Sequence, residues 1–401
     1  MSNAGLSKLR LERLHRALSG YVERGDVPGI VALVSRGDDV YVEALGTLAL
    51  DNLSPVKRDT IFRIASLSKP ITAVGAMTLV EEGRLRLDDP IDPWIPELAN
   101  RRVLRSLESQ PDDTVTARRA ITVRDLFTFR MGIGSVMAAP GTYPIQALIR
   151  DYRIGGDGHP IPSKGPGVGE WLKNLSALPL ISHPGERWMY HVSSDVLGVL
   201  ISRVSGKSLG AFLRERIFDP LGMKDTAFHV PAGKVDRLTS CYFFNREKNA
   251  LDLFDGAVDS AWGPEPPMES GGGGLVSTLD DHFAFSQMML RKGRHGNEQI
   301  LSRASVELMT SDQLAPEHRA GSEIFFGEFR SWGLGMSVDI ARREIYHTPG
   351  RFGWDGGMGT SAYVDPAEGM IGILFTERMM ESPEPPRVFT DFWTHAYASM
   401  E

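Results

Sequence analysis

The spacing of apolar side chains differs between the two ends of the chain and its middle. Residues 6–23 repeat apolar positions at helical spacing, which predicts a surface helix with one packed face. Residues 29–35 and 40–45 are β-branched and apolar, and the polar residues 36–39 between them are typical of a turn. We therefore predict that the chain opens with a helix followed by an antiparallel hairpin.

The C-terminal third returns to strand patterns. Residues 362–364 and 369–376 flank a polar turn, which predicts a second hairpin, and residues 387–400 have helical spacing. Between residues 90 and 260, helical and loop patterns dominate. Strands at both ends predict an α/β fold of the α+β type. Its antiparallel sheet would be built from both termini and flanked by helices, with an inserted, mostly helical domain.

The same patterns predict the domain boundaries. Residues 1–88 and 265–401 would form the α/β sheet domain, and residues 89–264 the helical domain. Residues 132–170 are rich in Gly and Pro and lack periodicity. This composition predicts a long irregular loop, of the kind that forms a functional lip or a mobile segment.

One short motif lies at the start of an apolar run with helical spacing. Ser66 and Lys69 form a Ser-x-x-Lys motif, and the run behind them ends at Gly83, a natural C-terminal stop. A helix beginning near Ser66, with one buried face, would place both side chains on the same side. A serine at a helix N-terminus beside an amine suits an acyl-enzyme nucleophile. The alternative is an ordinary N-cap and a solvated lysine, because so short a motif often arises by chance.

A second motif competes for the role of nucleophile. Residues 206–210 read Gly-Lys-Ser-Leu-Gly and match the Gly-x-Ser-x-Gly elbow of α/β-hydrolases, which needs a strand before the serine. A helical pattern over residues 194–204 precedes Ser208 instead. We therefore interpret Ser208 as the N-cap of a helix that begins at Leu209.

Composition limits the classes of function. The chain has 401 residues, of which 42% are hydrophobic and 24% charged, which is enough for a large core. Its net charge of −7 and its lack of a basic tract argue against nucleic acid as a partner. The sequence contains neither a signal-peptide pattern nor a run of about 18 apolar residues, so we expect no membrane partner.

Cysteine and histidine usage bears on location and cofactors. The single cysteine, Cys241, excludes an internal disulfide and fits a reducing, cytoplasmic location. The ten histidines are scattered, without the spacing of metal ligands. We therefore expect no metal and no other cofactor. The sequence is compatible with either a monomer or a homo-oligomer.

Five motifs in a fixed order resemble one known superfamily. From about residue 8 to 398 the chain is similar to the serine β-lactamases and penicillin-binding proteins, and most of all to the class C β-lactamase-like esterases, or family VIII carboxylesterases. The motifs that carry the resemblance are Ser66-Leu67-Ser68-Lys69, Pro184-Gly185-Glu186-Arg187-Trp188-Met189-Tyr190, Asp219-Pro220-Leu221-Gly222-Met223, Gly272-Gly273-Gly274-Leu275-Val276-Ser277-Thr278 and Gly353-Trp354-Asp355-Gly356-Gly357.

The resemblance implies a set of catalytic residues. Ser66 would be the nucleophile, while Lys69 and Tyr190, hydrogen-bonded to one another, would share the removal of its proton. The oxyanion hole would consist of the backbone N–H groups of Ser66 and Gly357. Without the resemblance, Tyr190 could equally be a core aromatic and Gly357 part of a bulge.

Two departures from the family's motifs concern substrate binding. Residues 190–192 read Tyr-His-Val, so Val192 stands where the family's Tyr-x-Asn motif has asparagine. Residues 354–356 read Trp-Asp-Gly in place of Lys-Thr-Gly, and only the glycine matches. Val192 and Trp354 cannot hold the amide and carboxylate of a β-lactam, which favours apolar, uncharged esters. The predicted substrate-binding residues are Trp354, Asp355, Gly356 and Val192.

These implications favour a serine hydrolase that forms an acyl-enzyme on Ser66. The expected activity is that of a carboxylesterase on a small-molecule ester, short-chain and uncharged, with weak or no β-lactamase activity. A β-lactamase, a D-amino-acid peptidase or amidase, and an acyltransferase of the same superfamily stay open as alternatives. A binding protein on an inactive scaffold would predict loss of Ser66, Lys69 or Tyr190, and all three are present.

Overall fold

The computed structural model describes residues 5–155 and 161–401. Its strands are β1 Gly29–Arg36, β2 Asp39–Gly46, β3 Phe62–Arg63, β4 Arg102–Leu104, β5 Thr114–Thr116, β6 Cys241–Asn245, β7 Ala250–Asp255, β8 Val276–Ser277, β9 Arg294–His295, β10 Glu298–Gln299, β11 Arg330–Trp332, β12 Ser337–Asp339, β13 Phe352–Gly356, β14 Thr360–Asp365 and β15 Met370–Thr376. Its α-helices are α1 Lys8–Glu23, α2 Ser68–Glu81, α3 Val123–Phe127, α4 Pro144–Asp151, α5 Val168–Ala177, α6 Val192–Ser205, α7 Leu209–Leu213, α8 Asp219–Leu221, α9 Leu279–Leu290, α10 Arg303–Met309, α11 Glu323–Phe326 and α12 Arg387–Ala398. Within these two described ranges, no single helix is both long and apolar enough to cross a membrane.

The central feature is a seven-stranded antiparallel sheet with the order β11-β12-β13-β14-β15-β1-β2. The predicted N-terminal hairpin pairs β1 with β2, and β1 also pairs with β15 from the C-terminal part of the chain. The register joins Ile30 to Thr376 and Arg36 to Met370. Both ends of the chain therefore build one sheet, which confirms the predicted α+β arrangement.

Strand β1 is apolar along its whole length because both of its faces are covered. Successive side chains of a strand point to opposite faces of the sheet. Val31 and Leu33 belong to the large core that also contains side chains of α2 and α9. Ile30, Ala32 and Val34 pack with side chains of α1 and α12. Helices thus cover the sheet on both sides.

Helix α2 departs from the predicted helix with one buried face. Every residue from Ser68 to Leu79 is buried, because α6 and α7 pack against the helix on one side and the main core surrounds the rest. Gly75 allows the close crossing with α7, since a Cβ there would lie 2.6 Å from Leu213 Cδ2. The Ser-x-x-Lys motif at the N-terminus of α2 is therefore anchored against the main core.

The segment predicted as helices and loops also contains strands. β6 and β7 form a hairpin, and their side chains are partly exposed on both faces, so no clean alternation marks them in the sequence. Residues 132–170, predicted to be irregular, contain all of α4 and the start of α5. Residues 156–160 of this segment lie outside the described residues.

Candidate active site

Ser66 lies on a tight turn immediately before α2. The turn, Ala65–Leu67, is a 3-10 helix, and α2 begins two residues after Ser66. Ala65 has a φ of 45°, a left-handed conformation that residues other than glycine rarely adopt. Ser68 Oγ donates to Ala65 O at 2.7 Å and accepts from Leu275 N at 3.1 Å. These bonds tie the turn to the chain just before β8 and leave Ser66 on the wall of a cavity.

Lys69 lies on the first turn of α2 with only 1% of its surface exposed. Its Nζ lies 2.9 Å from Ser66 Oγ and donates to Gly272 O at 2.6 Å. Burial lowers the pKa of Lys69 to about 7, although the negative charge of Asp195 acts in the opposite direction. A large fraction of this lysine is therefore neutral near pH 7 and able to accept a proton from Ser66.

Tyr190 contacts the same serine oxygen. Its OH donates to Ser66 Oγ at 2.8 Å and accepts from Trp354 Nε1 at 2.8 Å. Burial raises the pKa of Tyr190 to about 12, so the phenol stays protonated at neutral pH. Lys69 Nζ lies 4.5 Å from the centroid of the Tyr190 ring. The predicted Lys69–Tyr190 hydrogen bond is therefore wrong, because the amine faces the ring and each side chain bonds to Ser66.

Neighbouring rings fix the orientation of Tyr190. Its ring centroid lies 4.9 Å from that of Phe325 and 5.7 Å from those of Trp188 and Trp354. The ring is thus packed like a core aromatic while its hydroxyl reaches the cavity and Ser66. Packing of this kind limits the positions that the hydroxyl can take relative to the serine.

Strand β13 supplies the third predicted element. Trp354 and Asp355 are neighbours in the strand, so their side chains point to opposite faces of the sheet. Trp354 faces Tyr190, whereas Asp355 accepts from Ser361 Oγ at 2.6 Å and from Tyr363 OH at 3.0 Å. Both residues line the cavity. Trp354 is thus the member of the pair that contacts the groups around Ser66.

Gly356 and Gly357 bring the end of β13 to the turn that carries Ser66. A Cβ on Gly356 would lie 2.5 Å from Ile64 O, so the approach requires glycine. Gly356 O accepts from Gly359 N at 2.9 Å, which fixes the peptide group whose N–H belongs to Gly357. Ser66 and Gly357 both line the cavity, as a backbone oxyanion hole requires.

Val192 is a predicted substrate residue that the structure places elsewhere. It is 1% exposed, belongs to the main hydrophobic core and is not part of the cavity wall. His191 lies beside Lys69 instead, with its Nδ1 3.0 Å from Lys69 Nζ. The physical reason is the backbone at His191, whose φ of 105° and ψ of −54° turn the chain between Tyr190 and α6. The side chain directly after Tyr190 therefore faces Lys69.

Sequence reasoning missed a set of polar groups next to Lys69. His191 Nε2 lies 3.3 Å from Asp195 Oδ2, and Asp195 Oδ1 accepts from Ser270 Oγ at 2.6 Å and from Gly272 N at 3.0 Å. Burial disfavours the charge of Asp195, but the hydrogen bonds outweigh it and lower its pKa. The sequence signal that could have revealed this contact is the spacing of four residues between His191 and Asp195, because residues at i and i+4 are neighbours on a helix.

Ser66 and Tyr190 line a cavity of about 1030 Å³, at the upper end of the range of roughly 300–1,000 Å³ that is typical of small-ligand sites. Charged side chains also reach it, and one of them, Arg330, is paired with Asp339 at 3.1 Å. Much of the wall is apolar and includes Met137, Ile149, Ile154, Met268, Phe325 and Trp354. The segment predicted as a functional lip thus contributes to the cavity.

Fold and site together define the class of protein. A serine bonded to a buried lysine and a partly buried tyrosine, at the end of strand β13 of an antiparallel sheet built from both termini, is the arrangement of a β-lactamase-like enzyme. The family model described as Beta-lactamase matches residues 14–390, and the chain belongs to this family. The predicted superfamily is therefore confirmed.

Relatives and solved structures agree with this assignment. Protein Rv1367c of Mycobacterium tuberculosis (strain ATCC 25618 / H37Rv) is 36% identical over 363 residues, which cover 87% of this chain and 85% of the relative. Esterase EstB of Burkholderia gladioli is 29% identical over 381 residues, which cover 89% of this chain and 88% of the relative. The structure of EstCE1, described as a hydrolase with promiscuous acyltransferase activity, matches with a TM-score of 0.78 at 23% identity and covers 97% of this chain and 98% of its own. The superfamily thus includes esterase relatives, and the predicted fold class is confirmed.

Proposed function

We propose that this protein is a carboxylesterase that forms an acyl-enzyme on Ser66. The observation that carries the proposal is the pair of contacts at Ser66 Oγ, 2.9 Å to Lys69 Nζ and 2.8 Å to the Tyr190 OH. A hydroxyl bonded to a buried amine whose pKa is lowered to about 7 is an activated nucleophile. Similarity to Esterase EstB and to EstCE1 supports ester hydrolysis.

In the proposed acylation step, neutral Lys69 accepts the proton of Ser66 while Oγ bonds to the ester carbonyl carbon. The carbonyl oxygen becomes negatively charged between the backbone N–H groups of Ser66 and Gly357. Tyr190 donates a hydrogen bond to the serine oxygen and does not act as the first base, because burial raises its pKa to about 12.

Collapse of the intermediate releases the alcohol, whose oxygen then needs a proton. Tyr190 lines the cavity, whereas Lys69 is 1% exposed and does not line it. Tyr190 therefore donates to the departing oxygen, while the Lys69 ammonium, which faces the Tyr190 ring and not its hydroxyl, keeps the proton it took from Ser66. Water then attacks the acyl-enzyme with the Tyr190 phenolate as base, and the Lys69 ammonium returns its proton to Ser66 Oγ, which regenerates all three groups.

We infer that short-chain, uncharged esters are preferred over β-lactams. Trp354 stands at the strand position where the lactamase motif has lysine, and its indole N–H is bonded to the Tyr190 OH at 2.8 Å. Trp354 therefore offers no partner to an antibiotic's carboxylate at this strand position, and a carboxylate held there without a partner is strongly disfavoured. Val192 lies in the core and no longer supports this inference.

A panel of p-nitrophenyl esters from acetyl to dodecanoyl, with nitrocefin alongside, tests the proposed substrate class. We expect the highest kcat/KM for the short acyl chains, exceeding that for nitrocefin by about 10²-fold or more. Comparable values for nitrocefin and p-nitrophenyl butyrate would contradict the inference.

Acyl transfer is a second candidate function, which the size of the cavity favours. A volume of about 1030 Å³ leaves room for an acceptor alcohol beside a short acyl group on Ser66. The description of EstCE1 as a hydrolase with promiscuous acyltransferase activity also supports acyl transfer. Hydrolysis and transfer can be separated by mass spectrometry of the products of p-nitrophenyl butyrate in the presence of a primary alcohol. A transfer product in excess of free butyrate would make acyl transfer the better assignment.

A further inference from the structure

His191 stands between Lys69 and a buried carboxylate. Its Nδ1 lies 3.0 Å from Lys69 Nζ, and its Nε2 lies 3.3 Å from Asp195 Oδ2. Asp195 is held in turn by Ser270 Oγ at 2.6 Å and by Gly272 N at 3.0 Å. A continuous line of hydrogen-bonding groups therefore connects this carboxylate with the amine.

The hydrogen-bonding capacity of a neutral lysine limits how this line is arranged. Three groups lie within bonding distance of Lys69 Nζ: Gly272 O at 2.6 Å, Ser66 Oγ at 2.9 Å and His191 Nδ1 at 3.0 Å. A neutral amine has two N–H donors and one lone pair, and the carbonyl can only accept. If Nδ1 accepts the second N–H, the lone pair is left for the hydroxyl proton of Ser66. If Nδ1 carries a proton, the lone pair of Lys69 accepts that N–H and is no longer available to Ser66.

Asp195 decides between the two tautomers of His191. A carboxylate only accepts, so the proton of the neutral imidazole belongs on Nε2, which faces Asp195. Burial and the nearby Lys69 lower the pKa of His191, although Asp195 acts in the opposite direction, and the lowered pKa favours the neutral ring. Nδ1 is therefore left unprotonated and accepts from the amine.

The backbone holds the imidazole in this place against its own preference. His191 has a φ of 105° and a ψ of −54°, which glycine tolerates and other residues avoid. Gly272 leaves room for the ring, since a Cβ there would lie 3.0 Å from both Cε1 and Nε2 of His191. A strained residue that the surrounding structure fixes so closely is a candidate for a functional role.

We propose that His191 and Asp195 are positioning residues that aim the lone pair of Lys69 at Ser66. Asp195 fixes the tautomer of His191, and the unprotonated Nδ1 holds the second amine N–H while the Gly272 carbonyl holds the first. The transferred proton moves from Ser66 Oγ to Lys69 Nζ, and neither positioning residue exchanges one. The inference rests on the proposed role of Lys69 as base.

The pH dependence of Ser66 reactivity carries a signature of this arrangement. The groups that face Lys69 are the Tyr190 ring at 4.5 Å, His191 and the carboxylate of Asp195. The negative charge of Asp195 favours the ammonium form, so Asp195→Asn lowers the pKa of Lys69. The acid midpoint of Ser66 reactivity should then move to lower pH. An asparagine amide can also donate to Nε2 and favour the wrong tautomer, so the rate at the plateau should fall.

The test is the rate of Ser66 labelling by a fluorophosphonate, followed by intact-protein mass spectrometry across the pH range. This readout reports the reactivity of Ser66 and does not require turnover of any ester. His191→Gly removes the ring and suits the positive φ, and we expect labelling about 10²-fold slower, as for a misplaced reacting group. Free imidazole should restore part of the rate. His191→Asn keeps an acceptor near the position of Nδ1 and should label faster than His191→Gly.

The matched control is Ser193→Ala, on the same turn of α6. Ser193 is fully buried, and among the described residues its Oγ has no hydrogen-bond partner, so we expect the wild-type rate and midpoint. Labelling of His191→Gly at the wild-type rate, or an Asp195→Asn variant with unchanged rate and midpoint, would overturn the inference. If the variants show the expected labelling rates but the wild-type protein hydrolyses no ester, the proposed esterase activity would be wrong. The inference about His191 and Asp195 would still hold.

Discussion

Two serine–lysine pairs at helix N-termini show how environment decides the chemistry of the same residue types. Ser66 and Lys69 lie at the start of α2, whereas Lys207 and Ser208 lie at the start of α7. Lys69 is 1% exposed and bonds to Ser66 Oγ, while the side chain of Lys207 is 44% exposed and pairs with Glu215. The first lysine is an amine held next to a hydroxyl, and the second is a solvated charge.

The two serines differ in the same way. Ser208 Oγ accepts from Ala211 N at 3.2 Å, so it is an N-cap, as predicted. Helix α6 precedes it, so the strand that a nucleophile elbow requires is missing from this described part of the chain. Ser66 instead lines the cavity. Burial of the neighbouring amine, and not the presence of a motif, therefore separates a candidate nucleophile from a cap.

The largest expected effect is the loss of the Ser66 hydroxyl. Ser66→Ala should lower the turnover of p-nitrophenyl butyrate by about 10⁴-fold or more, because the acyl-enzyme can no longer form. Ser208→Ala should keep wild-type turnover, since its hydroxyl only caps α7. Steady-state kinetics on both variants measures the contrast, and equal losses in the two would remove the distinction between the sites.

The second contrast concerns the two lysines. Lys69→Ala should cost about 10²-fold or more in turnover, as removal of a positioned base does. Lys207→Ala, which breaks an exposed ion pair with Glu215, should leave turnover unchanged. The same kcat measurement covers both, and a large loss in Lys207→Ala would show that the exposed motif takes part in the reaction.

A double-mutant cycle sharpens this contrast. Tyr190→Phe should also cost about 10²-fold, and its effect should be strongly non-additive with Lys69→Ala because both groups bond to one oxygen. If Tyr190→Phe keeps near wild-type turnover while Lys69→Ala does not, Tyr190 is only a packed aromatic.

The third effect is on the pH profile. The neutral form of Lys69 is the active one, and burial lowers the pKa of Lys69 to about 7. Activity should therefore rise with pH, with an acid midpoint in kcat/KM at about 7, and reach a plateau at mildly alkaline pH. Lys207→Ala should not move the midpoint. A profile that keeps rising toward the ordinary lysine value of about 10.4 would show that Lys69 is not desolvated in solution.

The smallest effect is on stability. Ser208→Ala removes the cap of α7 and should lower the free energy of unfolding by about 1 kcal/mol. Chemical denaturation measures this change. An unchanged free energy of unfolding would mean that solvent replaces the cap without loss, while activity would still distinguish the two serines.

Local patterns predicted a sheet built from both termini and placed Ser66 and Lys69 on one side of a helix, whereas strands β11 and β12 were not predicted. Apolar strands at both ends indicated the shared sheet, in which β1 pairs with β15, and the helical spacing of three residues brings the amine within reach of the serine. The neighbours of α2 could not be predicted, because burial on all sides depends on where α6 and α7 pack in three dimensions.

Side-chain directions at the second motif were beyond the reach of sequence reasoning. The positive φ of His191 directs its side chain toward Lys69 and that of Val192 into the core. The residue type does not predict this backbone conformation, because histidine rarely adopts it. Similarly, the Gly272 carbonyl and the Asp195 carboxylate meet Lys69 and His191 only through tertiary packing.

The most direct test of the central claim, that Ser66 is the nucleophile, is to map the adduct of a fluorophosphonate by peptide mass spectrometry. Trypsin separates the two candidates, because Ser66 falls in the peptide of residues 64–84 and Ser208 in the peptide of residues 208–214. We predict one phosphonyl group per chain on Ser66, with the 208–214 peptide unmodified. An adduct on Ser208 with an unmodified Ser66 would contradict both the proposed mechanism and the assignment of the active site.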